Sequence, residues 1–396
     1  MTQWDAVVVG AGPAGSATAA HLARAGARVL LLDRSLFPRD KPCSEYLSPG
    51  AAPLLERLGV FAEVARAVHA KLYGMKVVAP GGAVSCGRFA GRYSFALPRT
   101  TLDTILLENA ACAGAVVREG VAVEDLVREA GAVTGVVARS QSGKREALRA
   151  RAVVGADGLR SVVARRLGGR RGTAPRRIAY TAHVSDVAGV DGVGELHVSR
   201  CGYVGLGPIG GGVTTVALVL PLAAVRRGGR DFRAAFFEEL ERFPGLRGRF
   251  DRGRMVREVL VTGPFAQWSR RASADGALLV GDAADFFDPF TGQGLYSALK
   301  GAELAAAALL PLVARPQPIT RASLRAYARG RRAAFAGKWV LERLIGLGVG
   351  WPALADRVVE RLARRPALAD LLVGATGNFV PARRVLAPTV LAQLLF

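Results

Sequence analysis

The feature that most constrains this chain is a glycine-rich turn near the N-terminus, between a short strand and a helix. Residues 6–9 are apolar and mostly β-branched, as in a buried parallel strand. Gly-Ala-Gly-Pro-Ala-Gly follows at 10–15, and the alanine-rich segment 16–25 favours a helix that ends before Gly26. A second apolar segment, 28–32, ends at Asp33. This order of elements predicts a dinucleotide-binding βαβ unit.

The small residues of this turn have separate physical roles. Gly10 allows the tight turn out of the strand, Gly12 lets a pyrophosphate approach the backbone, and Gly15 lets helix and strand pack closely. The helix N-terminus offers free N–H groups to phosphates. Asp33 can accept hydrogen bonds from an adenosine ribose, and its charge disfavours a 2′-phosphate there. The predicted contacts of this unit are Gly10, Gly12, Ala14, Gly15, Asp33 and Arg34.

Two distant segments indicate which dinucleotide is bound. Val-Val-Gly-Ala-Asp-Gly at 153–158 resembles the Asp-Gly motif of the para-hydroxybenzoate hydroxylase superfamily of flavoproteins. Ala-Leu-Leu-Val-Gly-Asp-Ala-Ala at 277–284 resembles the Gly-Asp motif of the same superfamily, whose aspartate binds the flavin ribityl chain. The resemblance covers residues 5–330. It implies FAD as cofactor, with Asp157 and Asp282 among the residues that bind it.

The residues themselves agree with this cofactor. A strand that ends in Gly-Asp at 281–282 places a carboxylate at the carboxyl edge of a sheet, where ligands of open α/β sheets lie. Asp-Pro-Phe-Thr-Gly-Gln-Gly at 288–294 then opens a predicted helix over 295–310. A helix N-terminus stabilises negative charge on a reduced flavin. Gly292, Gly294 and Leu295 are therefore predicted beside the flavin ring.

Within the superfamily, three segments resemble the geranylgeranyl reductase branch. Lys-Pro-Cys at 41–43 resembles a loop of that branch, and Gly-Tyr-Val-Gly-Leu-Gly-Pro at 202–208 resembles its substrate-side strand. Pro98-Arg99 resembles the start of a helix whose arginine contacts FAD. The resemblance implies an isoprenoid substrate, and Ser44 and Arg99 join the predicted cofactor residues.

Cys43 is the side chain that we single out for chemistry. Its loop follows the strand that ends at Asp33, and the ends of such strands face the ligand crevice. Glu45 and Tyr46 add groups that could deliver the proton that reduction of a double bond needs. Cys43 and Tyr46 are the predicted catalytic residues, and a small buried cysteine is the alternative for Cys43. His183 could line the substrate cavity, but a packed or exposed position outside it is expected.

Several reactions are compatible with these motifs. We favour an FAD-dependent oxidoreductase that reduces carbon–carbon double bonds of an apolar prenyl or polyketide-like substrate. The alternative is a flavin monooxygenase that hydroxylates an aromatic or quinone-like substrate with NAD(P)H and oxygen. A flavin halogenase is disfavoured because Trp-x-Trp-x-Ile-Pro is absent, and Lys71 or Lys76 would have to supply its lysine. The complete motif set disfavours a flavin-bound module without turnover.

The electron donor has no fingerprint of its own. The chain has no second Gly-x-Gly-x-x-Gly fingerprint between a predicted strand and a predicted helix, so NAD(P)H is expected as a transient donor, or another carrier serves.

Composition limits the partners. The formal net charge is +22, but 48 of the 54 basic residues are scattered arginines and no nucleic-acid motif accompanies them. We therefore expect an apolar small-molecule substrate and no nucleic acid, and leave open a peripheral contact with an acidic membrane surface. The four cysteines form no CxxC pair, so no metal site is predicted. Without a signal peptide the protein is expected in the cytoplasm or at the inner face of the membrane.

The predicted fold class is α/β, a two-dinucleotide-binding-type FAD fold with an inserted mixed β-sheet substrate domain. The FAD-binding domain is discontinuous, at 1–70, 96–172 and 270–330. The substrate domain takes 71–95 and 173–269, with strands at 178–184, 194–198 and 212–220. A C-terminal helical segment, 331–396, has an apolar face at residues 341–347 and an apolar end. Docking on the body is expected for it, and a membrane contact or a cap over an apolar substrate channel is the alternative.

Overall fold

The computed structural model describes residues 4–68, 70–224 and 232–395, and in this part of the chain it confirms the α/β class. The strands are β1 (Trp4–Val9), β2 (Val29–Leu32), β3 (Tyr46–Leu47), β4 (Ala70–Leu72), β5 (Gly74–Val78), β6 (Val84–Arg88), β7 (Ser94–Ala96), β8 (Val116–Arg118), β9 (Ala122–Glu129), β10 (Ala132–Arg139), β11 (Arg145–Gly155), β12 (Arg170–Gly172), β13 (Arg177–Ser185), β14 (Gly194–Ser199), β15 (Gly202–Gly210), β16 (Val213–Pro221), β17 (Met255–Thr262), β18 (Gln267–Ser269), β19 (Ser273–Ala274), β20 (Ala277–Leu279) and β21 (Asp285–Phe286). The helices are α1 (Pro13–Arg24), α2 (Ala52–Leu58), α3 (Phe61–Ala67), α4 (Arg99–Cys112), α5 (Val162–Arg166), α6 (Phe232–Leu240), α7 (Gly294–Val313), α8 (Arg325–Val349), α9 (Pro352–Arg364), α10 (Pro366–Thr376), α11 (Ala382–Val385) and α12 (Pro388–Leu395).

The first sheet brings the predicted motifs to one edge. Its order is β19-β20-β11-β1-β2-β8, and the strands from β20 to β8 are parallel. Val9 lies opposite Gly155 on one side and Leu32 on the other, and Gly155 lies opposite Leu279. The four strands that precede the glycine turn, Asp33, Asp157 and Asp282 therefore end side by side, as the motifs predicted.

Small residues let helices pack closely on this sheet. Helix α1 is rich in buried alanines and packs against α4 and α7. By length and composition α7 could span a membrane, but half of its apolar window is buried, as in a core helix. It is longer than the predicted 295–310 and continues through Pro311. Helices α1 and α7 cover one face of the sheet, and apolar residues of β9 and β10 cover the other. Burial on both faces explains why β1 and β2 are almost wholly apolar.

The second sheet is mixed, in the order β17-β13-β16-β15-β14-β5-β6, with β5 and β14 parallel and the other neighbours antiparallel. The three predicted strands are present as β13, β14 and β16. The sequence prediction missed α6, whose Phe236, Phe237 and Leu240 pack on one face of this sheet. The domain limits stay a prediction.

The C-terminal segment consists of helices, as predicted, from α8 to α12. Helices α9 and α10 pack on β6 at the edge of the second sheet. A separate apolar cluster holds the helices together and includes Leu341, Leu362, Leu368, Val385 and Leu394. The segment is therefore docked on the body of the protein.

Candidate active site

The glycine turn has the geometry that its predicted roles require. Gly10 has φ +97°, and a Cβ there would lie 2.6 Å from the carbonyl oxygen of Ala156. A Cβ on Gly15 would lie 1.7 Å from the carbonyl oxygen of Gly10. Both positions therefore exclude a side chain. At Gly12 the nearest atom to a Cβ is the Arg39 guanidinium at 3.4 Å, so open space adjoins the backbone there.

A cavity of about 640 Å³ begins at this edge of the sheet. Ten of the fifteen predicted site residues line it. They are Gly12, Ala14, Cys43, Ser44, Tyr46, Arg99, Asp282, Gly292, Gly294 and Leu295. Gly10 and Gly15 instead pack against neighbouring backbone, as their steric roles require.

The other three predicted residues do not line the cavity. Asp33 is buried, and its carboxylate accepts hydrogen bonds from Ala11 N at 2.7 Å and Ser35 N at 2.9 Å, so it holds the glycine turn. Arg34 is exposed. For these residues the sequence indicated the edge of the sheet but not the direction of the side chain.

Asp157 is the remaining predicted residue outside the cavity lining. Its carboxylate accepts hydrogen bonds from Ser161 Oγ at 2.5 Å and Val162 N at 2.6 Å, at the start of α5. Burial raises the pKa of this carboxyl group. Because these donors satisfy the carboxylate, Asp157 stabilises a helix N-terminus and is not turned toward the cavity.

Charged side chains surround the start of the cavity. Arg99 binds Asp103 through Nε at 2.8 Å and Nη2 at 2.7 Å, and Arg39 contacts the same carboxylate at 2.8 Å. Burial lowers the pKa of Lys41 and raises the pKa of Asp282, and each moderates the other's shift by its opposite charge. Three cations and two carboxylates leave an excess of positive charge, which fits a diphosphate.

The described residues fit the FAD that the motifs predict. Gly12 leaves its side-chain position open, and Gly292 has φ +64° at a site where a Cβ would lie 2.8 Å from the Tyr46 ring. The N-terminus of α7 follows directly, at Gly294. Gly12 and the α1 N-terminus would hold the pyrophosphate, Asp282 the ribityl chain, and the segment 292–295 the flavin ring.

Behind Cys43 lies a buried pair that the sequence analysis did not find. Glu45 is fully buried with φ +57°, and its carboxylate lies 2.7 Å from His183 Nε2. Arg257 contacts the same carboxylate at 3.4 Å, and Glu45 N donates to Cys43 Sγ at 3.3 Å. The histidine is packed, as expected, but its partner is 138 residues away in the chain. Only the neighbouring Cys43 and Tyr46 were predicted here as catalytic.

Tyr46 lines the cavity beside Gly292. Burial raises the pKa of its phenol above its usual value, so the group stays protonated at neutral pH. It can therefore donate a hydrogen bond into the cavity, but it gives up a proton only at a high energetic cost.

Asp288, in the turn before α7, joins this turn to the second sheet. Its carboxylate accepts hydrogen bonds from the Tyr203 hydroxyl and from Arg177 Nη1, each at 2.6 Å. Arg177 also donates to the carbonyl oxygen of Gly346 in α8 at 2.8 Å. These contacts fix the second sheet and α8 relative to the turn.

Beyond these polar groups the cavity is apolar. The second sheet contributes Leu196, Val198 and Val219, and the C-terminal helices contribute a larger aliphatic wall. That wall includes Leu341, Leu344, Ile345, Leu354, Val358, Val359, Leu362, Leu372, Val373, Val385, Leu391 and Leu394. The helical segment therefore forms the far end of the cavity.

Comparison with known proteins assigns the family. A family model described as an FAD binding domain matches residues 3–336, and the chain belongs to this family. It is an FAD-dependent oxidoreductase of the para-hydroxybenzoate hydroxylase-like superfamily, as the motifs predicted.

The relatives differ in reaction. A digeranylgeranylglycerophospholipid reductase of Methanothermobacter thermautotrophicus is 33% identical over 76% of this chain and 77% of its own length. A menaquinone reductase of Mycobacterium tuberculosis is 32% identical over 76% of this chain and 75% of its own. The solved structure of a myxobacterial chondrochloren halogenase shares the fold, with TM-score 0.81 and 21% identity, covering 100% of this chain and 91% of the halogenase.

We predict that the purified protein contains FAD, not FMN, and that Gly12→Val and Asp282→Ala each weaken its binding. Valine fills the space beside the turn, and alanine removes an acceptor worth about 1.5–3 kcal/mol. Gly172→Val, also in open space, is the control. Flavin titration measures the affinities, and wild-type affinity in both site variants would contradict the assignment.

We also predict that Cys43→Ala changes the rate or the product of turnover while flavin content and Tm stay near wild type. Its sulfur lies at the cavity wall and accepts the Glu45 N–H. Cys201→Ala, also a half-buried cysteine, is the control. Single-turnover kinetics decides, and unchanged kinetics would make Cys43 an ordinary packed cysteine.

Proposed function

We propose that this protein reduces carbon–carbon double bonds of a long apolar substrate, of prenyl or polyketide-like type. The single observation that carries the proposal is the continuous cavity from the predicted cofactor loops to the aliphatic wall of the C-terminal helices. Such a wall matches a hydrocarbon chain, because burial of each CH₂ contributes about 0.8 kcal/mol. The two relatives above, a digeranylgeranylglycerophospholipid reductase and a menaquinone reductase, are consistent with this class.

The positions of the lysines favour reduction over halogenation. Lys71 is exposed, with its ammonium 4.5 Å from the centroid of the Tyr93 ring. Lys76 forms an ion pair with Glu195 at 2.8 Å, and neither lysine lines the cavity. Among the described residues that line it, Lys41 is the one lysine, and it lies near Asp282 on the cofactor side. A halogenase needs a lysine beside its substrate, and the described lining of the apolar part of the cavity includes no lysine.

The chain's own part in the reaction is to orient the substrate and to deliver a proton. Reduced FAD, when bound, supplies a hydride to one carbon of the double bond. The other carbon then needs a proton. Glu45 and His183 form a buried acid–base pair directly behind Cys43, and we assign this pair to proton delivery. Tyr46 lines the same wall and its phenol stays protonated, so we assign it to orienting the substrate by a hydrogen bond.

The expected product separates the two leading reactions. FAD-loaded protein reduced with dithionite under anaerobic conditions should add two hydrogen atoms to each reduced double bond of a geranylgeranyl lipid or a menaquinone. A hydroxylase would add one oxygen atom, and only after air is admitted. Mass spectrometry of the extracted substrate measures both. Oxygen insertion without hydrogen addition would support the monooxygenase alternative and contradict reduction.

The peripheral membrane contact is proposed at the outer end of this cavity. Val340, Leu344, Leu347 and Trp351 follow one side of α8 and its end, and they are 48%, 46%, 61% and 67% exposed. The last three also line the cavity. Exposed Arg343 adjoins this stripe on the neighbouring face of α8, which suits an anionic lipid surface. A substrate dissolved in the bilayer would enter here without crossing water.

Leu347→Glu should weaken binding to vesicles that contain phosphatidylglycerol, roughly tenfold or more, because a charge replaces an apolar side chain at the lipid surface. Val256→Glu is the matched control, since Val256 is 57% exposed on β17. Flotation with and without the anionic lipid measures binding. Equal loss in both variants, or a dimer that buries this stripe in solution, would contradict a membrane contact here.

A further inference from the structure

A second cavity lies on the opposite side of β21 from the first. It has a volume of about 250 Å³ and runs between α8 and the small sheet of β12, β18 and β21. Successive residues of the strand divide between the two cavities. Phe286 lines the first, whereas Asp285 and Phe287 line the second. We call the second cavity the α8 groove. Asp285 in its wall is three residues along the chain from Asp282.

The inner wall of the α8 groove is held by a closed network. Asp285 Oδ2 accepts a hydrogen bond from Trp339 Nε1 at 2.7 Å, and Oδ1 accepts one from Arg331. Tyr327 donates to the carbonyl oxygen of Leu279 at 2.5 Å and also contacts Arg331. Arg331 therefore neutralises Asp285, and the Trp339 ring is fixed in one orientation.

The outer wall carries unpaired positive charge. Arg270, Arg332 and Arg343 line the groove and are exposed. Within the described residues none of these three arginines forms an ion pair with a carboxylate. Aromatic rings lie among these arginines. Trp268 is 39% exposed, and the Arg343 guanidinium is 5.9 Å from the centroid of the Phe287 ring.

Arginines around aromatic rings recognise a ligand that has both phosphates and a flat ring. Guanidinium groups bind phosphate oxygens in pairs, and indole faces stack on purine bases. On α8 the lining arginines and the Trp339 ring extend from Arg331 to Arg343, about 18 Å at the rise of an α-helix. This length suits an extended nucleotide.

We infer that the α8 groove binds the adenosine-phosphate end of NADPH. The inference rests on the proposed function in one respect, because reduction of a double bond needs an electron donor. The glycine turn at residues 10–15 serves FAD, so the donor's nucleotide must bind elsewhere. The groove offers three exposed arginines, and the carboxylate in its lining, Asp285, is already paired with Arg331 and Trp339. It lies one strand away from the cofactor side of the first cavity.

The test measures nucleotide binding directly, on the FAD-loaded protein. Isothermal titration with 2′,5′-ADP should show binding to wild type, and Arg332→Ala and Arg270→Ala should each weaken it roughly tenfold or more. Arg329→Ala is the matched control, because Arg329 is exposed on the same helix but does not line the groove. Quenching of tryptophan fluorescence should accompany binding and be reduced in Trp268→Leu.

Absence of 2′,5′-ADP binding to wild type, or equal weakening by Arg329→Ala and Arg332→Ala, would overturn the inference. This result is distinguishable from a failure of the proposed function, since dithionite replaces NADPH in the product assay. A protein that reduces its substrate with dithionite but does not bind the nucleotide would retain the function and refute the groove. A protein that binds the nucleotide but does not reduce the substrate with dithionite would support the groove and contradict the proposed function.

Discussion

Asp288 lies buried where the second sheet, the turn before α7 and helix α8 meet. A buried carboxylate is stable only when it is paired, and Arg177 and Tyr203 supply both partners from neighbouring parts of the second sheet. Burial and the nearby charge of Asp288 raise the pKa of Tyr203, which keeps its hydroxyl a donor. Because Arg177 also binds α8, one charge network sets the width of the cavity between the cofactor loops and the C-terminal helices.

The edge of the first sheet was predictable because it depends on local signals. Gly10, Gly12 and Gly15 are recognisable from spacing, and parallel strands bring the residues after them together. Side-chain direction was not predictable in the same way. Asp157 and Ser161 form a helix cap that a motif match does not distinguish from a ligand contact. Glu45 lies in the loop before β3 and His183 lies on β13, so the two meet only through tertiary packing, and no spacing rule gives such a contact.

The cavity separates charge from hydrocarbon along its length. One end is lined by the charged residues Lys41, Arg99 and Asp282. Its other end is closed by α8, α9 and the helices after them, where the apolar pattern of residues 341–347 indicated an apolar face but not its partner. For residues 331–396 the sequence analysis treated docking on the body and capping of an apolar channel as alternatives. In the structure both hold, because the docked helices form the end of the apolar cavity.

Strand β21 explains how one small element can serve two cavities. Side chains alternate across an extended strand, so Asp285 and Phe286 point to opposite sides. Phe286 contributes to the apolar cavity, and Asp285 fixes the Trp339 and Arg331 side chains of the α8 groove. Helix α8 contributes to both as well, through Leu341 and Leu344 on one side and Trp339 and Arg343 on the other. Helix α8 is therefore a shared wall of the apolar cavity and the α8 groove.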